Sequence, residues 1–562
     1  MRARILLLVA VAAMVGLTAC GSDSKSASGT DVVDLRGRAT GGQYPSVTVV
    51  VKDNNFTPQN IRIDPGVTVI WKNEGRSQHN VQPADANQPF FGDKPFGVTQ
   101  ADFGPGKEYS FRFDKPGTYA YYCSLHGAPT QGMIGTVIVG SGGGGRTAGG
   151  QTGGTRSGTI KVPGDEKTIQ AAVNSAKPGE LILVAPGVYN EAVTITGDHP
   201  NIVIRGEDRT TTILDGQFSE DPGKENGFKV LADGVAIENI TARNFKSNGF
   251  FWTGVQGYRG SYLTAIRNGD YGIYAFDSTY GVFDHNYAAG SPDAGFYIGQ
   301  CYECHAVMTD NEAEWNGLGY SGTNAGGDLI ITKSWFHDNR AGIVPNSGTG
   351  EANPPQRGTT IVGNVVNDNN NANTSAIDIA KLAIGNGILL AGGNDNTVSK
   401  NLVFNHDISG IAAIPLPEKL TQPDNPKAQN FDARNNRMTN NVVKASKEFD
   451  LGIVTSIENA NDAGGNCASD NVFTTSLPAN IEQVAPCNGS PTGTFQTDIA
   501  RFAGLLGADK PAAVDYKTVA LPDPPALPNM PDPLNAKPVP ATKDRVIKID
   551  IAAVVVPTAT PR

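Results

Sequence analysis

Apolar and polar residues alternate along this chain in two rhythms. Between residues 45 and 140 the period is two, in Val47-Thr48-Val49-Val50-Val51, Ile61-Arg62-Ile63, Val67-Thr68-Val69-Ile70-Trp71 and Gly117-Thr118-Tyr119-Ala120-Tyr121-Tyr122. Turn residues such as Asp64-Pro65-Gly66 separate these runs, which predicts the short strands of a small β-sandwich. From residue 159 a longer rhythm takes over. Gly249, Gly272, Gly295, Gly319 and Gly342, each leading a short and mostly apolar run, stand 23, 23, 24 and 23 residues apart. Gly387 follows after 45 residues, Gly410 after 23 more, and Gly452 beyond an insertion. A fixed period in this range predicts a solenoid.

Composition selects the kind of solenoid. Each repeat holds short Val/Ile/Phe/Tyr strands and Asn/Asp/Gly corners, without a sustained helical period. The fold class is therefore all-β, a β-sandwich followed by a right-handed parallel β-helix, whose coils stack at about 4.8 Å. Asn244, Asn268, Asn286, Asn311, Asn339 and Asn405 recur near one phase and predict hydrogen-bonded corner ladders. Lys167 to Val173 reads as a helix capping the open end. The domain plan is 1–20 export signal, 21–44 flexible tether, 45–140 sandwich, 141–158 Gly-rich linker, 159–490 β-helix and 491–562 Pro-rich extension. Ile547 to Val556 is a candidate edge strand in an otherwise extended tail.

His79, Cys123, His126 and Met133 carry the most specific chemistry. A thiolate, two imidazoles and a thioether are the donors of a mononuclear copper centre with a weak axial Met. Four protein ligands leave no open position for substrate, which points to electron transfer rather than catalysis at the metal. Three of the four fall on one short loop expected between two strands, and His79 comes from far upstream.

Residues 45–140 resemble a plastocyanin-type cupredoxin through Ser77-Gln78-His79-Asn80-Val81, Tyr121-Tyr122-Cys123 with His126, and Gly132-Met133-Ile134-Gly135. The resemblance implies one type 1 copper site on these four residues and a redox partner protein. Six residues separate His126 from Met133, more than is common in plastocyanins. A copper carrier that delivers metal to an extracytoplasmic enzyme would use similar ligands.

Arg2 and Arg4 precede an apolar run from Ile5 to Leu17, thirteen residues and too short to span a bilayer, which needs about twenty. Leu17-Thr18-Ala19-Cys20-Gly21 resembles a bacterial lipoprotein box. It implies cleavage before Cys20, lipidation of that residue and a protein held at the outer face of the cytoplasmic membrane.

Of six Cys, Cys20 goes to lipid and Cys123 to copper, leaving Cys301 with Cys304 and Cys467 with Cys487 as disulfide candidates. Cys301-Tyr302-Glu303-Cys304-His305 also matches a haem c attachment pattern, but the repeat runs through it and leaves little room for a haem pocket. The net charge of −10 argues against nucleic acid as a partner and favours a basic surface on any redox partner.

Leu181 to Glu191 and Ile202 to Gly206 resemble the first coils of the pectate-lyase-like superfamily. Gly187-x-Tyr189-x-Glu191 matches the opening motif of pectin methylesterases, without that family's later catalytic motifs, and so marks a structural first turn. Residues 230 to 460 resemble NosD-like β-helix proteins involved in copper delivery. A polysaccharide ligand is a further expectation, with Tyr271, Tyr274, Asp277, Asp284, His285, Tyr297, Trp315, Asp328, Trp335 and His337 as candidates. A further alternative is a polysaccharide-modifying lyase, hydrolase or epimerase with an accessory copper domain. Hydrolysis would need converging carboxylates, and most Asp and Asn read as corner formers, so no catalytic residue is assigned.

Overall fold

The computed structural model describes residues 32–37, 45–52, 55–75, 78–85, 96–128, 131–140, 158–421 and 428–562. The expected export signal with Cys20, most of the expected tether and linker residues 141–157 lie outside these.

The first module packs two sheets face to face. One runs in the order Val33–Asp34, Asn60–Ile63, Gln131–Val139, Gly117–Ala128, Gln82–Pro83. The other runs Asn55–Thr57, Ser46–Lys52, Val67–Asn73, Glu108–Phe113. Alternation puts Val49, Val51, Val69, Trp71, Tyr121 and Val137 into one buried core between them. Part of the expected tether belongs to this module, since Val33–Asp34 pairs in parallel with Ile61 and Arg62.

The second module coils through three parallel sheets of twelve, ten and eleven strands. The repeated glycines open strands of the eleven-stranded sheet, and close approach explains them. A Cβ at Gly249, Gly272 or Gly319 would lie 2.7, 2.6 or 2.8 Å from the carbonyl oxygen of the next coil. Gly227 is an earlier member of this column. Gly452 is not a member: it pairs with Ala412, so the residue opposite Gly410 is Asp450. The insertion before it shifts the phase by two.

The asparagines resolve into separate columns. Asn286 donates to Asn311 at 2.9 Å, and the same corner continues through Asn364, Asn401, Asn441 and Asn471. Asn316, Asn339 and Asn369 form a second column at 3.0 Å spacings, whose earlier coil holds Asn268. Asn244 and Asn405 belong to neither; they take left-handed corners with φ of 59° and 63°.

The helix Ile169–Ser175 closes the first coil, with Thr168 capping it. Glu191 accepts from the backbone N–H of Ile169 at 2.9 Å and of Gln170 at 3.0 Å, and Tyr189 donates to the Ala185 carbonyl at 2.9 Å. The motif Gly187-x-Tyr-x-Glu191 thus serves as a helix cap. Cys301 is bonded to Cys304 inside the solenoid core, and Cys467 to Cys487 at its far end.

The Pro-rich extension is extended but anchored. Buried arginines of the solenoid donate to its carbonyls: Arg340 to Pro511, Arg209 to Pro528 at 3.4 Å, and Arg205 to Ala536 at 2.6 Å. Lys400 then holds Val554 at 2.8 Å. Residues 547–556 form no strand; Ile551–Ala553 is a 3-10 turn. The two modules touch where Lys52 pairs with Asp233 at 2.6 Å. Among the described residues no helix is long and apolar enough to cross a membrane.

Substituting Gly319→Ala should destabilise the solenoid by about 1–3 kcal/mol, because its Cβ would also meet the Phe336 ring at 2.7 Å. Denaturant melting of the full chain checks this.

Candidate metal centre and the outer face of the solenoid

The metal ligands predicted on a loop lie instead on two paired strands. Cys123 and His126 belong to Gly117–Ala128, and Met133 to Gln131–Val139. Tyr122 pairs with Ile134 and Gly127 with Gly132, so residues 123–126 face Met133 alone. This four-against-one bulge gathers the ligand positions, as bulges do when they re-aim side chains. Gly135 is required opposite Tyr121, because a Cβ there would overlap the tyrosine ring.

His79 arrives from the segment after Val67–Asn73. Its N–H donates to the Phe103 carbonyl at 3.2 Å, and the Asn73 side chain donates to the same carbonyl at 3.0 Å. Asn80 fastens this segment to the ligand strand: its amide donates to Ser124 Oγ at 2.8 Å, and its carbonyl accepts from the Ser124 N–H at 2.8 Å. The His79 Nδ1 and Cys123 Sγ atoms then stand 3.7 Å apart, both buried, with Met133 buried in the same cluster. A separation near 3.7 Å suits two donors sharing one ion at bond lengths of about 2.0–2.3 Å. Cys123 lies outside both disulfides. The His126 side chain lies outside the described residues.

The polysaccharide candidates separate into groups. Asp277 and Asp328 occupy left-handed corners, as does Trp315. Asp284 accepts from Ser261 at 2.8 Å and pairs with Arg259 and His285. Trp335 stacks on His337, whose ring nitrogens contact Asp338 at 2.8 Å and Glu312 at 3.2 Å. Burial pushes His337 down, but those hydrogen bonds outweigh it and hold the ring up at about 9. Glu314, His337 and Asp338 come within 4.8 Å of one another. Both imidazole nitrogens are already engaged, which makes the group an ion-pair network.

Tyr271, Tyr274 and Tyr297 do converge. Register places Lys229, Phe251, Tyr274 and Tyr297 in one row, while neighbours Ile273 and Ala275 enter the core. The row therefore lies on the outer face of the eleven-stranded sheet. Three of its neighbours were missed by the sequence reading: Asp270, Asp293 and Glu351. Tyr271 donates to Asp293 at 2.8 Å and Tyr297 to Glu351 at 3.0 Å. Asp293 Oδ1 is buried without a partner. Asp270 and Asp293 sit on consecutive coils, since the Asp293 N–H donates to the Asp270 carbonyl at 3.1 Å. Burial raises Asp270 to about 7 and Glu351 to about 7, and raises Asp293 well above the carboxylate range. The nearness of Asp270 adds to the shift of Asp293. The signal available in the sequence was Asp two residues before the repeat glycine in successive coils, Asp270 before Gly272 and Asp293 before Gly295.

Residues 45–140 match the family model for copper binding proteins of the plastocyanin/azurin family. Residues 193–355 and 226–415 match that of the right handed beta helix region. Plastocyanin of Scenedesmus fuscus is 35% identical over 86 residues, 15% of this chain and 85% of that one. Plastocyanin of Vicia faba is 33% identical over 87 residues, 15% of this chain and 86% of that one. Among solved structures, a purple cupredoxin from Nitrosopumilus maritimus is 27% identical, covering 17% of this chain and 99% of that chain at a TM-score of 0.14. A mannuronan C-5 epimerase A-module from Azotobacter vinelandii is 15% identical, covering 54% and 90% at a TM-score of 0.42.

Between about pH 4 and 7 an unfolded Asp270 has lost its proton while the folded one keeps it, so this residue withdraws stability as pH rises through that window. Asp270→Asn should raise the melting temperature at pH 7 and leave it nearly unchanged at pH 3.5, as read by scanning calorimetry.

Proposed function

The chain belongs, through residues 45–140, to the plastocyanin/azurin family of copper binding proteins, and from that premise we propose that it is an exported, lipid-anchored single-electron carrier. The buried approach of His79 Nδ1 to Cys123 Sγ beside Met133 is the observation that carries this reading. Bound copper would supply a Cu(II)/Cu(I) couple that exchanges one electron. The protein's part is to hold soft donors in a dry, preset arrangement. Asn80 locks the His79 segment to the Cys123 strand, and the bulge sets positions 123 to 126 opposite Met133. Little has to move between oxidation states when the ligands are fixed from outside in this way.

The export signal and Cys20 support attachment to the outer face of the cytoplasmic membrane. An acidic chain of net charge −10 fits a redox partner with a basic docking patch. The alternative within this reading is copper storage or delivery to an extracytoplasmic enzyme, as in NosD-like systems.

We infer a second role for the solenoid, binding of polysaccharide on its outer face. The Tyr274 hydroxyl and the Asp270, Asp293 and Glu351 carboxyls, which burial holds above the usual carboxylate range, put polar groups in one patch beside the rings of Tyr271 and Tyr297. Keeping buried carboxyls there lowers stability at neutral pH, and such costs gather at functional sites.

The copper-loaded chain should show an intense thiolate-to-copper absorption in the visible, and Cys123→Ser should abolish it. Asn80→Ala should weaken copper affinity by about 10–100-fold, measured by competition with a chelator. A colourless protein that takes up only Cu(I) would assign the site to delivery instead. For the solenoid, Tyr274→Phe should weaken retention on an immobilised glycan by about tenfold, close to 1.4 kcal/mol; equal retention of both proteins by every acidic and neutral glycan tried would end the second reading.

A further inference from the structure

The same outer face changes character in the later coils. Beyond Tyr297 the row continues as Ser321 and Val344, and then as Leu389 and Ala412. Two helices cover these last positions, Asp378–Leu382 and Ile499–Gly507. Between roof and sheet lies a narrow cavity of about 80 Å³, partly open to solvent. Its lining is mostly apolar with a few placed polar groups, as in small-molecule sites.

The polar inventory of its lining is short. Asn386 and Ser409 are satisfied internally: Ser409 Oγ donates to Asn386 Oδ1 at 2.6 Å, and the Asn386 amide donates to the Ala383 carbonyl at 2.9 Å. Among the described residues Lys510 is the one charged lining residue. Its ammonium donates to the Leu505 carbonyl at 2.9 Å, which leaves two of its three N–H groups for a ligand. Among the described residues no Asp or Glu lines the cavity to compete for it. Burial lowers the Lys510 pKa, as expected for a cation held without a paired anion.

The roof fits its sheet incompletely. Phe502 and Leu505 of Ile499–Gly507 face Leu389, Ala412 and Phe449, yet no residue of that helix is fully buried. An apolar helix face laid over a void forfeits dispersion contacts that a filling chain would restore.

We propose that this cavity binds a fatty acid, with its acyl chain between the sheet and the two helices and its carboxylate on Lys510. Apolar walls with a single cation and no anion select an apolar chain carrying one negative end. This site is separate from the copper centre and from the tyrosine patch, and its test involves neither.

The full chain, stripped of bound lipid by organic extraction and refolding, is titrated with sodium dodecanoate and with dodecan-1-ol by calorimetry. Saturable binding of dodecanoate near one equivalent is expected. Lys510→Met should weaken dodecanoate about tenfold and leave the alcohol unchanged. Ala412→Phe, which fills the floor, should remove binding of both; Leu389→Phe replaces it if that variant melts below the parent. Absence of saturable binding, unchanged dodecanoate affinity in Lys510→Met, or full binding in the filled variant overturns the proposal. Uptake of phosphatidylglycerol vesicles that Ala412→Phe blocks and dodecanoate does not compete would also overturn it, by assigning the cavity to membrane lipid.

Discussion

Successive coils of the solenoid come so close at one column of glycines that no side chain fits between them. From Gly227 to Gly410 the space a Cβ would need is taken, in most coils by the carbonyl oxygen of the next coil. That contact fixes where each strand of the eleven-stranded sheet begins. With the start fixed, alternation decides which residues enter the core and which face outward. The second residue after each glycine is always an outward one, which lines up Phe251, Tyr274, Tyr297, Ser321, Val344, Leu389 and Ala412. The chemistry of the outer face follows from that row, polar and aromatic in the early coils and apolar in the later ones.

The sandwich module solves a related problem by breaking register instead of keeping it. Its ligand strands pair regularly from Gly117 to Tyr122, lose pairing for four residues, and resume at Gly127. The interruption is where the donors sit. Regular pairing would send Cys123 and Ser124 to opposite faces and carry on past Met133. The bulge and the Asn80 clamp together let a rigid sheet hold side chains from separate segments around one point.

Much of this was legible in the sequence, because it depends on local spacing. Period-two alternation located the sandwich strands, the 23-residue glycine period located the coils, and the ligand residue types indicated copper. What was not legible depends on register or on main-chain acceptors. The bulge at residues 123–126 reads as a loop until the pairing of Gly127 with Gly132 is known. Gly452 imitates the repeat but lies two positions out of phase with Gly410. The asparagines divide among columns because neighbouring corners differ by only a few positions. The carboxyl pair of Asp270 and Asp293 appears only once consecutive coils are stacked. The anchoring of the tail left no mark at all, since Arg205, Arg209 and Arg340 grip carbonyl oxygens, which every residue possesses.

That tail has a consequence for how the body comes apart. A linear stack of coils touches only nearest neighbours and can unravel from either end like a zipper. Here residues 511 to 554 cross from the coil of Arg340 back to those of Arg209 and Arg205, then forward again to Lys400. One extended segment is thus a staple through turns that are otherwise strangers to each other. Fraying at an end must first pull that thread from its sockets, so a modular rod acquires the all-or-none cohesion of a globule.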